Sequence, residues 1–224
     1  MPHDWRRYVF TQSSGCRTTW LFRIGLTATA ALLLLFTRGL WMPMVGHALE
    51  CQRSTSPADA ILLDNFELNY LVFERAAELR GRGIASRVLI PTQASDDPTQ
   101  PNMIFAGIAH VMSSVARLQS PELIPVEEVE PISLNAAYQV RDFLVTQQLR
   151  AVVVVAPGFR SRRSFLVYSR VLGEAGIATY CEPVFGEATA ETWNDSWHGI
   201  ELVAEQFVKL QFYRFYVLPF KVAS

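Results

Sequence analysis

The chain lacks the glycine signatures of phosphate and nucleotide loops: it has no G-x-G-x-x-G and no G-x-x-x-x-G-K. It also has no G-x-S-x-G elbow to expose a nucleophilic serine. Four histidines and three cysteines fall at no spacing suited to zinc, so no metal is expected. Charge of either sign is not in excess: the net charge is −1, which gives no global field for nucleic acid, and neither DNA nor RNA is expected as a partner. Internal repeats and low-complexity tracts are absent too. No cofactor is named by what remains.

Half of the 224 residues are hydrophobic, enough for one ordinary domain plus an extra segment. The extra segment is N-terminal. Arg6, Arg7, Arg17 and Arg23 precede the uncharged run "IGLTATAALLLLFT", residues 24–37. From Trp20 to Trp41 a helix would be roughly 33 Å long at about 1.5 Å per residue, enough for a bilayer core with an aromatic at each interface. Three readings stay open: a retained anchor, a signal cleaved near Gly46–His47–Ala48, and a soluble amphipathic arm. With an anchor, the preceding arginines put residues 1–19 in the cytoplasm as a tail. Residues 20–45 then cross an inner or plasma membrane once, 46–56 form a linker, and 57–224 form an extracytoplasmic domain. An oxidising space would permit a disulfide between Cys51 and Cys181, leaving Cys16 on the reduced side; the sequence does not say whether the two meet.

Beyond residue 56, short apolar runs alternate with helical spacing, which predicts an α/β fold: a Rossmann-like, open, mainly parallel sheet with helices on both faces. Strands are expected at 58–64, 86–92, near "ELIPVEE" as an edge or irregular strand because of Pro125, at 151–157 and at 176–184. Helices are expected at 69–83, about 102–118, 133–148 with Ser133 as N-cap, about 161–173, and 196–217. "AVVVVAP" is β-branched without interruption and belongs in the middle of a parallel sheet.

Ligands of such sheets bind beyond the carboxyl ends of the strands, where strand order reverses. That rule selects Asp64 and Asn65 after the first strand, "APGFRSRR" after the central one, and Ser133 with Asn135 at a helix start. Arg160, Arg162 and Arg163 crowd the positive end of a helix dipole, which an anion over the turn would relieve; Arg160 and Arg163 lie about one turn apart. The alternative is that they pair with Glu74, Glu128 or Glu130. Asp64 is the candidate general base, or a cap. Asp195 and His198, at the start of the last helix, read first as capping.

The order "ADAI", "ERAAEL", "RVLIPT", an S-x-N-A helix start, "VVVVAPGFRSRRSF" and a late W…E…K…Y helix resembles the YdcF/SanA/ElyC envelope family over about residues 57–216. The resemblance implies a Rossmann-like fold, often behind one N-terminal span, and a role in envelope, peptidoglycan or surface-polysaccharide assembly. Combined with the arginine cluster, it leads to an expected partner: an anionic, phosphorylated or carboxylated envelope precursor held by Asp64, Asn65, Ser133, Asn135, Arg160 and Arg163. The site departs from the family pattern. Asp64, Asn65 and Phe66 replace a glycine-rich turn, Ser133-Leu134-Asn135 lacks the acidic residue of Thr-x-Glu-Asn, and Ala156, Pro157 and Arg160 stand for Thr-Ser and His, leaving only Arg163 matched. A non-catalytic assembly factor working through Phe212, Tyr213, Phe215 and Tyr216 is the alternative; a nucleotide-binding module is disfavoured by the missing glycine turn.

Overall fold

A computed structural model describes residues 10–11, 17–54, 56–64, 66 and 69–221. Arg6, Arg7, Cys16, Asn65 and Glu67 lie outside the described residues. The chain divides into two units, residues 1–44 and 45–224.

In the first unit, β1 (Phe10–Thr11) pairs antiparallel with β2 (Arg17–Thr18). Helix α1 (Trp20–Phe36) follows, started by Thr19, whose hydroxyl accepts from the Phe22 amide. All its side chains are exposed. Among the described residues no single helix is long and apolar enough to cross a membrane. Helix α1 and α2 (Arg38–Leu49) pass together, bent by 72° at the break.

In the second unit five parallel strands run in the order β5-β4-β3-β6-β7: β3 (Ala60–Leu63), β4 (Arg87–Gln93), β5 (Glu122–Val126), β6 (Ala151–Pro157) and β7 (Ala178–Val184). The fold is Rossmann-like α/β. Successive residues of the central strands face opposite cores. Leu62, Val152 and Val154 join one cluster with Leu134, Val140, Val167 and Val171 of helices α5 (Ile132–Thr146) and α6 (Gly158–Glu174). Ile61, Leu63, Val153 and Val155 join another with Val72, Phe73, Leu79 and Ala109 of α3 (Tyr70–Gly81) and α4 (Met103–Val115). Both faces are therefore covered, and β5, with Pro125, sits at an edge where its missing donor is tolerated. Gly83, at φ 76°, lets the chain leave α3 and turn toward β4, a conformation open to glycine.

Three boundaries differ from the sequence expectation. Helix α6 begins at Gly158, three residues before the position read from periodicity, because the stripe of buried side chains already includes Phe159 and Arg160. Helix α5 begins at Ile132, with Pro131 at the cap position making no side-chain bond, so Ser133 is not the cap. The segment expected as a linker belongs with the α/β unit: Leu49 and Cys51 are buried, and Cys51 forms a disulfide with Cys181 of β7. The last helix, α7 (Trp197–Phe212), runs through a π-helical stretch, Tyr213–Val217, into α8 (Leu218–Lys221).

Candidate functional site

Strand order reverses between β3 and β6, so the crevice at the ends of these two strands is where an α/β ligand is expected. The protein's own side chains fill it. Asp64 follows β3 and is 1 % exposed; Arg160, in the first turn of α6, is 4 % exposed. Arg160 Nε lies 2.9 Å from Asp64 Oδ2, the Ser164 hydroxyl donates to the same oxygen, and the guanidinium stands over the Phe66 ring at 5.7 Å. Tyr168 lies behind the pair, its phenol pushed to higher pKa by burial and by the Asp64 charge, with Arg160 opposing. Arg160 is thus paired by Asp64, the residue expected to share a ligand with it, and not by Glu74, Glu128 or Glu130. Removing one partner from a buried ion pair costs about 3–5 kcal/mol where the other charge is left uncompensated.

Three other expected site residues also contact parts of the chain itself. Arg163, 5 % exposed, stacks over the Tyr213 ring at 5.5 Å. The Ser133 amide donates to the Tyr213 hydroxyl at 3.2 Å. Asn135 Nδ2 donates to the carbonyls of Val129, at 2.9 Å, and Pro131, holding the loop before α5. Each makes an internal contact. Arg162, the third arginine, is exposed and borders a cavity of about 580 Å³ beside the disulfide.

A cavity of about 650 Å³, within the usual range for small-molecule sites, opens next to the filled crevice, beyond the carboxyl ends of β6 and β7. Its walls are the β6–α6 turn, Val184 at the end of β7 with the four residues that follow it, the cap residue Asn69 of α3, and the face of α7 carrying His198, Leu202 and Gln206. Those three are four residues apart, one helical stripe. The first turn of α6 has no side-chain cap, whereas α7 is capped by Ser196, which accepts from the Gly199 amide at 3.0 Å. Capping therefore falls to Ser196, and Asp195 and His198 border the cavity instead. Arg160 also forms part of its wall.

Two features shape this space. Gly158 packs flat under Phe185: a Cβ there would stand 2.2 Å from the ring, and the ring meets Phe159 edge to face at 5.3 Å. Gln206 is 1 % exposed, and neither amide atom has a hydrogen-bond partner among the described residues. A buried amide left unpaired costs about 1–3 kcal/mol, so its position on the cavity wall calls for explanation.

Elsewhere on β7, Glu182 is fully buried, and Arg75 Nη2, at 2.7 Å, and Arg53 Nε, at 3.1 Å, bracket its Oε1. This ties the segment before β3, helix α3 and the cavity-bearing strand together, alongside the disulfide. Among the described residues no group of three or more His, Cys, Asp or Glu could hold a metal ion.

No protein-family model and no curated protein matches the chain. Of the segments selected from the sequence, "APGFRSRR" borders the open cavity through Pro157, Gly158, Phe159 and Arg160. Gln206 was missed because a glutamine inside an amphipathic helix reads as a surface residue; its four-residue spacing from His198 and Leu202 on an inward stripe was the available signal.

Proposed function

We propose that this chain is a membrane-tethered envelope domain of the YdcF/SanA/ElyC type. It binds a phosphorylated or carboxylated envelope saccharide, or its lipid-linked precursor, in the cavity beyond β6 and β7. The observation that carries this reading is the 650 Å³ cavity at the carboxyl edge of a parallel sheet, opening on the uncapped first turn of α6 and bordered by Arg160. The Cys51–Cys181 disulfide favours an oxidising space, and the apolar helices α1 and α2 supply the tether. Asp64, buried and paired, serves as a counter-ion to Arg160 and not as a general base. In intact cells an impermeant maleimide should label the exposed position in a Glu174→Cys variant, and a cavity-filling Leu202→Trp should sensitise cells to envelope stress while preserving protein level. Labelling that requires permeabilised cells, or full resistance in Leu202→Trp cells, contradicts the reading.

The assembly-factor alternative has its own observation. Phe212, Phe215, Tyr216 and Phe220 are exposed on one side of the π-helical stretch, with Phe212 stacked on Tyr216 at 5.2 Å. Loss of function in Phe215→Ser/Tyr216→Ser with Leu202→Trp silent would favour it.

A further inference from the structure

We infer that the outward side of α7 and of the π-helical stretch lies on a lipid bilayer surface carrying anionic headgroups, and so holds the carboxyl edge of the sheet against the membrane. This rests on the tethered part of the proposed reading and adds to it a second, peripheral contact of the α/β unit. Helix α7 crosses that edge. Near its start, His198, Leu202 and Gln206 line the cavity together with Pro157 and Gly158 at the end of β6. Farther along, the Tyr213 hydroxyl accepts from the Ser133 amide at the start of α5, and its ring carries the Arg163 guanidinium of α6. Both partners belong to helix starts on the same edge. The tether meets this edge too. A Cβ on Gly46 of α2 would stand 2.5 Å from the Ala190 carbonyl oxygen, and His47 Nε2 lies 3.2 Å from Glu191 Oε1, on the segment that leads into α7.

The side that α7 turns outward has the make-up of a helix lying in a membrane interface. Val203, Leu210, Tyr213 and Val217 are buried against the protein. Opposite them, Val208, Phe212, Tyr216 and Phe220 step by four residues and are exposed, and Trp197, 78 % exposed, and Ile200 extend the stripe toward the start of the helix. Four-residue steps drift round an α-helix. The slower winding of the π-helical stretch takes that drift back, so Phe212 stacks on Tyr216 at 5.2 Å and Tyr216 meets Phe220 at 6.0 Å in one continuous outward ladder. Such rings favour the depth of the headgroups, where one end of a side chain is apolar and the other wet. Charge points the same way. Residues 206–224 hold Lys209, Arg214 and Lys221 and no Asp or Glu. Lys209 is paired with Glu205, whereas Arg214 is exposed beside the ladder, over the Phe215 ring at 5.7 Å. An anionic headgroup supplies a counter-charge for that guanidinium while the rings enter the acyl boundary.

The test reconstitutes the full chain, with Cys16→Ser, into phosphatidylcholine vesicles with and without phosphatidylglycerol, carrying one nitroxide at a time on Tyr216→Cys, Glu174→Cys or Leu33→Cys. Glu174, exposed at the far end of α6, is the water-facing reference, and Leu33 of α1 reports the tether. In vesicles with phosphatidylglycerol the Tyr216 nitroxide should lose collisions with a water-soluble nickel chelate and gain them with oxygen, while the Glu174 nitroxide keeps its chelate collisions. Arg214→Gln should lower the ratio of docked to undocked Tyr216 signal about fivefold in those vesicles, the effect of one cation at an anionic surface. Should the Tyr216→Cys chain not fold, Trp197 serves in its place: the share of native fluorescence that brominated acyl chains quench should fall on Trp197→Phe. A Tyr216 nitroxide as open to the chelate as the one at Glu174, or quenching indifferent to Trp197→Phe, overturns the inference. If lipid shields Leu33 in the same vesicles, the tether stands and this inference alone falls; if Leu33 is open to the chelate as well, the tethered reading falls with it. Loss of both chelate and oxygen collisions at Tyr216 means that a second copy covers the stripe, which also overturns the inference. An unchanged ratio in Arg214→Gln overturns its anionic part.

Discussion

Two crevices lie side by side at the carboxyl edge of this sheet, and their walls share Arg160. Between β3 and β6, where the fold class puts its ligands, Asp64, Arg160, Ser164 and Phe66 close the space with contacts of their own. Beyond β6 and β7 the space is open, and the buried polar group on its wall, Gln206, has no partner among the described residues. Charge alone is a poor guide to a binding site, because a buried cation arrives with a counter-ion of the protein's own.

The strongest way to break the contrast is to loosen β7, which carries one wall of the open cavity. Cys51→Ser or reduction opens a link across a sequence separation of 130 residues. The chain-entropy estimate for a loop of that size is roughly 5 kcal/mol, read as a lower denaturation midpoint. Next, Asp64→Ala should cost about 3–5 kcal/mol by leaving the Arg160 charge buried without its carboxylate, whereas Asp64→Leu/Arg160→Met should recover most of that loss. Third, Gln206→Met should leave stability unchanged or raise it by up to about 1 kcal/mol, the opposite sign to its neighbour across the wall; chemical denaturation reads both. The smallest effect is a pH dependence at the mouth of the cavity beside the disulfide. His47 has its pKa raised above 6.5, chiefly by its hydrogen bond to Glu50. Its contribution is thus complete below about pH 6.5 and lost as pH rises through the raised value. The group is exposed, so the difference between wild type and His47→Gln melts at mildly acid and alkaline pH should be small.

Much of the fold was legible in the sequence because burial on both faces of a parallel sheet leaves an unbroken apolar run, as in Val152–Val155, and because Pro125 marks an edge. The start of α6 was not, since a buried arginine reads as a surface residue until its counter-ion is known. The same holds for the site. Asp64 and Arg160 were both singled out, yet their ion pair joins two residues 96 positions apart, a pairing that spacing along the chain does not encode. Asn135 and Ser133 are near the right edge of the sheet but spend their polar groups, or their backbone, on the α5 entry and Tyr213. The stripe of His198, Leu202 and Gln206 faces a cavity whose other walls come from distant parts of the chain, which helical spacing does not encode.

The account turns on Asp64 and Arg160 serving each other. A double-mutant cycle in chemical denaturant, Asp64→Leu, Arg160→Met and the pair, measures this directly. The account predicts a coupling of about 2 kcal/mol or more, with the double variant more stable than the less stable single. Additive losses with coupling near zero, in variants that still fold, would mean that the two charges are held for something other than each other.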